Sequence, residues 1–262
     1  MVPPEQSESQ TCMKLRTPIL IASLAALSLG LAACGKKDAT GPVANETAAA
    51  IANVAPPAGK EWADVISTTP EGGYRMGNPD APLKLIEYGS LTCPHCAAFS
   101  EEGFPKLRDQ YVASGRVSIE FRNFVRDKFD TALAMLTHCG EPDSFFALTD
   151  QVFANQKDIF AKLETLAKDP AIQTMPADKL FGALGTQGGL IDFFAARGIA
   201  KDKAAACLAN VQTAAKLADD VQKASDQFDI SGTPTFILNG RKIADVATWD
   251  GLEPVLKNAG AR

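Results

Sequence analysis

Two cysteines separated by two residues, Cys93-Pro94-His95-Cys96, constrain this 262-residue chain more than any other stretch. The run before them, Leu83 to Tyr88, reads as a buried strand, and the run after them, Ala97 to about Val112, reads as a helix. One sulfur then falls at a helix N-terminus. Unsatisfied N–H groups and roughly half a positive charge gather there, and both favour an anion. A thiolate is the species that attacks disulfides, so the pattern points to a redox pair. Zinc would need two further ligands, and neither a second Cys-x-x-Cys nor a neighbouring histidine supplies them. A c-type haem would need histidine directly after the second cysteine, where Ala97 stands. No metal and no cofactor is therefore expected.

What the cysteines do depends on the compartment, which the N-terminus addresses. Met13-Lys14-Leu15-Arg16 is basic, and Pro18 to Ala33 is an uncharged apolar run of sixteen residues. That is short for a membrane span and has the shape of a secretion signal. It ends in Leu31-Ala32-Ala33-Cys34, which resembles the lipobox of bacterial lipoproteins. The resemblance implies cleavage before Cys34 and lipidation there; the alternative is an ordinary signal peptide with an incidental cysteine. Residues 1–12 match no secretion element, so Met13 is the expected start and Cys12 then lies outside the protein. Residues 34–58, rich in Ala, Gly, Pro, Lys and Asn, read as a flexible tether with a root-mean-square reach of roughly 27 Å. The folded part is expected over 59–262, long enough for a full core. A net charge of −5 argues against a nucleic-acid surface.

Within that part, Glu61 to Ile66 alternates loosely and reads as a strand, and Gly72-Gly73 turns the chain into Tyr74-Arg75-Met76. Arg116 to Phe121 reads as a second central strand. From about 127 to 227 the period becomes helical, with about five helices and turns at Glu141-Pro142, Asp169-Pro170 and Gly188-Gly189. Strand signals resume at Ile230 to Leu238. Asn239-Gly240 marks a two-residue hairpin returning through Arg241-Lys242-Ile243, and Trp249 to about Asn258 can form a closing helix.

The order of elements, the Cys93 to Cys96 centre and Gly232-Thr233-Pro234-Thr235 some 140 residues later resemble the DsbA-like thiol:disulfide oxidoreductases of the thioredoxin superfamily. Asn78-Pro79-Asp80-Ala81-Pro82 and Glu87 add to the match, which covers about Gly59 to Ala259. The resemblance implies an α/β, thioredoxin-like fold with a large inserted helical domain. It implies that Cys93 is the exposed nucleophile, that Cys96 is the buried resolving thiol, and that the two form a redox-active disulfide. His95 would add a donor beside the Cys93 sulfur, and Pro94 suits the first helical turn. Glu87, an acid inside an apolar strand, could exchange a proton with Cys96 if buried, although Lys84 on the same strand is a candidate partner for it. Thr233-Pro234 resembles the family's cis-proline loop, which packs on the cysteine pair and offers its backbone to an extended substrate. Thr before this proline is commoner in isomerase-like members than in the oxidases, so the redox role stays open between the two. His138 reads as structural. With Cys12 and Cys34 outside the domain and Cys93 paired with Cys96, Cys139 and Cys207 remain. In an oxidising compartment they are expected to form a structural disulfide, the alternative being two buried thiols.

These readings imply an enzyme of the periplasm of a Gram-negative bacterium, anchored by lipid to the inner or outer membrane. It would be monomeric and act on exported polypeptides. An oxidase would be recycled by a quinone-linked membrane oxidase, an isomerase by a membrane reductase. A thioredoxin-fold lipoprotein that only holds a partner is the reading from another class.

Overall fold

The computed structural model describes residues 48–262. The leader, Met13, Cys34 and the first part of the tether lie outside the described residues. Six strands form one sheet: β1 (Ile66–Thr68), β2 (Tyr74–Met76), β3 (Leu83–Gly89), β4 (Val117–Asn123), β5 (Thr235–Leu238) and β6 (Arg241–Lys242), in the spatial order β1-β2-β4-β3-β5-β6. Only β3 and β4 run parallel; the other neighbours are antiparallel. Between the two parallel strands come α1 (Pro94–Glu102) and α2 (Phe104–Lys106). Between β4 and β5 stand eight helices: α3 (Lys128–Thr137), α4 (Phe145–Ala154), α5 (Gln156–Ala167), α6 (Pro170–Gln173), α7 (Ala177–Gln187), α8 (Leu190–Ala195), α9 (Lys201–Ala209) and α10 (Val211–Phe228). The chain closes with α11 (Trp249–Asn258). This is a thioredoxin-like sheet with a helical insertion over 128–228.

β3 sits at the centre because both of its faces are covered. Leu83, Leu85 and Glu87 turn to one side and are buried. Ile86 and Tyr88 turn to the other, where they pack with Ala224, Phe228, Ile230 and Ile237. The strand ends at Gly89, where a Cβ would stand 2.5 Å from the Phe121 ring of β4. Hydrogen would fit there and a methyl group would not. The hairpin between β5 and β6 uses Asn239 and Gly240 at φ 48° and 79°, the positive pair that a tight two-residue turn requires. Asn239 also extends the sheet, its Oδ1 accepting from the Lys84 N–H at 2.8 Å and its Nδ2 donating to the Pro82 carbonyl at 3.1 Å.

Several elements differ from the sequence reading. Glu61 to Ile66 is not a strand. Trp62–Asp64 forms one tight helical turn, and β1 begins only at Ile66. Buried Trp62, whose indole Nε1 donates to the Val54 carbonyl at 2.7 Å, accounts for the apolar signal there. The helix expected from Ala97 to Val112 starts earlier, at Pro94, and breaks at Gly103 before continuing through α2 into a wide turn over Leu107–Val112. Pro105 has no N–H to carry the helix ladder through, and α11 packs close at Gly103, where a Cβ would lie 3.1 Å from that of Trp249. The insertion holds eight helices rather than about five. Single residues, Asn155 and Asn210, separate neighbouring helices there without a glycine or proline to mark the break.

The expected tether also ends sooner than residue 58. The N–H groups of Ala48 and Ile51 donate to the carbonyls of Asn258 and Gly260, each at 2.9 Å, and Val54 N–H donates to Ser114 O at 2.9 Å. Ile51 packs on the core. Composition alone hid this, because a strap held by backbone bonds needs only one apolar anchor.

Candidate active site

α1 begins at the C-terminal end of β3, and Cys93 caps it. Cys93 has extended dihedrals (φ −90°, ψ 123°), with Pro94 at the first helical position. Its carbonyl accepts the first helical bond, from Ala97 N–H at 3.1 Å. The sulfur thus stands over the free N–H groups of the first turn. Both cysteines are thiols and both are buried, Cys93 to 3% and Cys96 to 0% exposure. Cys93 is therefore not the open side chain that the resemblance implies. The cis Thr233-Pro234 loop covers it, and its Sγ–H donates to the Thr233 carbonyl at 3.1 Å.

The two thiols are driven apart electrostatically. The Cys93 thiol is lowered to about 4, first by a hydrogen bond from the Cys96 thiol, against the opposing effect of burial, and then by bonds from the Thr233 side chain and from the backbone N–H groups of Cys96 and His95. Thr233 Oγ1 is buried with no partner while Cys93 is a thiol. Once the sulfur is charged it can no longer donate to the carbonyl, and this hydroxyl becomes a donor to it. The Cys96 thiol is pushed well above its ordinary value by burial, by its bond to Cys93 and by the charges of Glu87 and Cys93. The structure brings His95 to the site through its backbone; the residue itself is exposed, as is Pro94.

Glu87 is 3% exposed, and its carboxyl is raised to about 8, chiefly by burial, with Asp150 and Cys93 adding negative charge nearby. Lys84 is not its partner. Residues three apart on a strand face opposite sides, and Lys84 is exposed while Glu87 is buried. At neutral pH Glu87 is largely a neutral acid behind the cysteine pair. His138, half-buried and lowered to about 4 by desolvation, bonds Asn123 Oδ1 through Nε2 at 2.8 Å and lies outside the site. Its proximity to Lys216 lowers it further.

Three residues of the insertion complete the site, and sequence reasoning missed all of them. Asp130 is fully buried; its carboxylate accepts from Ser90 Oγ at 2.6 Å, Leu91 N–H at 2.9 Å and Arg126 N–H at 3.0 Å. Gln156 Nε2 donates to the carbonyls of Leu91 at 2.9 Å and Cys93 at 3.1 Å. Together they fix the loop that delivers Cys93. Asp150 on α4 accepts from Ser100 Oγ of α1 at 3.0 Å. An acid three residues past an N-cap (Asp127, Asp130) was the one signal available, and it reads equally well as helix capping.

Cys139, just past α3, and Cys207 on α9 are joined by a disulfide 68 residues apart in sequence. Among the described residues no cluster of three or more His, Cys, Asp or Glu could hold a metal ion, and no helix is long and apolar enough to cross a membrane.

An acidified cysteine at a helix tip, a second buried thiol three residues on and a cis-proline loop against the pair form a candidate redox site of the thioredoxin type. Residues 69–258 match the model of a thioredoxin family, and the chain belongs to that family, with a DsbA-like architecture. A protein-disulfide isomerase of known structure from Novosphingobium aromaticivorans is 34% identical, with a TM-score of 0.66, over 70% of this chain and 95% of that one. Disulfide bond formation protein D of Bacillus subtilis is 25% identical over 74% of this chain and 81% of its own length. A Rickettsia conorii protein named as a protein-disulfide oxidoreductase is 27% identical over 168 residues, and the match spans only 52% of that relative.

Proposed function

We propose that this chain is a thiol:disulfide oxidoreductase of the cell envelope that introduces disulfides into exported polypeptides through Cys93 and Cys96. A substrate thiolate attacks Cys93 Sγ of the oxidised pair. The Cys93–Cys96 bond breaks, and Cys96 leaves with a proton from Glu87. A second substrate thiolate then displaces Cys93, which departs as a stable anion. The extended backbone around Thr233 is the docking rail for the substrate strand.

The separation of the two thiols carries this reading, with Cys93 at about 4 and Cys96 well above the ordinary value. At pH 7 an anion with that acidity favours the reduced pair by about 4 kcal/mol, equivalent to roughly 90 mV toward a stronger oxidant. Thr233 and the isomerase name of the Novosphingobium relative favour a second reading, isomerase or reductase. The proposal extends to lipidation at Cys34, a periplasmic site on the inner or outer membrane of a Gram-negative bacterium, a monomeric state, recycling by a quinone-linked membrane oxidase, and a structural role for Cys139–Cys207.

The deciding measurement is the equilibrium potential of the Cys93–Cys96 couple against glutathione, alongside oxidation of a reduced peptide and dithiothreitol-driven insulin reduction. An oxidase gives a potential well above the glutathione couple and rapid peptide oxidation. A potential near or below that couple, with insulin reduction dominant, selects the second reading. A Cys93→Ala variant as active as wild type in both assays removes enzymatic function altogether. No incorporation of radiolabelled palmitate, with Cys34→Ala behaving the same as wild type, would remove the anchor.

A further inference from the structure

Behind the cysteine pair lies a small cavity of about 10 Å³, room for about one water molecule. Glu87 of β3 and Asp150 of α4 both line it, with Ser100 of α1 and Thr149 of α4. Thr149 is 3% exposed, and its Oγ1 has no hydrogen-bond partner among the described residues. A buried hydroxyl of this kind needs a polar occupant in the cavity it lines. The other walls are Phe104, Ile119, Phe121, Phe146 and Phe153, so the polar groups form a single track through apolar surroundings. Glu87, nearly fully buried, has no route of its own to solvent, whereas Asp150 is only partly buried.

We propose that Asp150 is the outer member of a two-carboxylate proton relay that serves Cys96 through Glu87 and the water-sized cavity between them. The inference rests on the Cys93–Cys96 exchange reading. When Cys96 resolves a mixed disulfide, its Sγ bonds to Cys93 Sγ and the bond from Cys93 to the substrate sulfur breaks. The substrate leaves as a thiolate. Glu87, a neutral acid at pH 7, first passes its proton across the cavity to the Asp150 carboxylate and so to solvent, and the Glu87 carboxylate this leaves takes the Cys96 proton. In the oxidising direction the proton runs the other way. The charges around the path agree with this order. Glu87 is raised to about 8 by burial and by Asp150 and Cys93. Asp150 is raised to about 6 by burial, while the Ser100 hydrogen bond and Arg108 on the wide turn after α2 draw it back down. At pH 7 the outer acid is therefore largely ionised and the inner one largely protonated, so Asp150 is the base placed to receive the Glu87 proton and release it to solvent. Asp150 touches no reacting atom; it acts through Glu87.

The test separates the relay from a structural role. Reduced protein is mixed with 5,5′-dithiobis(2-nitrobenzoate) across pH 5 to 9. The first thionitrobenzoate released reports attack by Cys93, and the second reports attack by Cys96 on the resulting mixed disulfide. Asp150→Asn should leave the first phase unchanged and slow the second by roughly tenfold at pH 7. Added imidazole should restore the second phase by carrying the proton, and Asp150→Glu should stay within about threefold of wild type. A second phase in Asp150→Asn with the wild-type rate and pH profile overturns the relay. So does a slow one that imidazole does not rescue and Asp150→Glu shares. If wild type itself shows no second phase, the exchange reading fails and the relay with it.

Discussion

Among the described residues stand two cysteine pairs in one fold, and they are built in opposite ways. Cys93 and Cys96 sit on one helix tip, surrounded by groups whose charge or hydrogen bonds split their acidities, and they are thiols in the structure. Cys139 and Cys207 join α3 to α9 across 68 residues and are bonded. A short loop adds little entropy to a disulfide, so the first pair can open and close according to the stability of its thiolate. The second pair closes a long loop and gains from constraining the unfolded chain. Reversibility comes from the environment of the sulfurs, and durability from the length of chain between them.

The sharpest way to break this contrast is to exchange the roles. Cys93→Ser should abolish peptide oxidation, a loss of more than about a thousandfold. The double variant Cys139→Ser/Cys207→Ser should keep exchange within about threefold of wild type while losing about 4 kcal/mol in urea unfolding. If the double variant also moves the potential of the Cys93–Cys96 couple by more than about 30 mV, the two pairs are not independent.

A pH series tests the thiolate. The folded-state acidity of Cys93 is depressed, to about 4, so its contribution to the reduced state is full above the unfolded value near 9 and is lost as pH falls toward 4. At pH 7 the reduced protein should exceed the oxidised one by about 4 kcal/mol from this source, and the gap should close near pH 4. Equal thermal midpoints of the two forms at pH 7 would contradict the shift.

Glu87 has the opposite sign. Its folded value is raised from 4.5 to about 8, so the native state binds more protons than the unfolded chain between those limits, and stability falls as pH rises through them. Glu87→Gln should therefore stabilise the protein by about 3 kcal/mol at pH 7 and by almost nothing at pH 4.5, read from unfolding midpoints. The smallest effect belongs to Gln156→Ala. It should cost about 1–2 kcal/mol by leaving the Leu91 and Cys93 carbonyls without their donor. It should also shift the pair's potential slightly, because the nucleophile's loop is released.

The parts of the site that the sequence disclosed are those written locally. The helix-tip cysteines, the Asn239-Gly240 turn and the Thr233-Pro234 dipeptide each fix a conformation within a few residues, so their chemistry can be read without the fold. Asp130, Asp150 and Gln156 could not be read in this way. They belong to helices whose apolar period looks like that of any bundle, and their purpose appears only when the insertion folds over β3 and α1. The same limit explains Cys93's burial, since the loop that covers it arrives 140 residues later. It also explains the strap at 48–54, whose partners are Ser114, Asn258 at the end of α11 and Gly260 just beyond it.

β6 is two residues long, and both are cationic and exposed: Arg241 and Lys242. If the proposed function holds, the protein handles unfolded chains, and any open sheet edge risks recruiting them. A truncated, positively charged margin repels such additions. On the proposed reading, backbone pairing with a client is discouraged at this edge and favoured at the loop beside the sulfurs, where it ends in exchange and release.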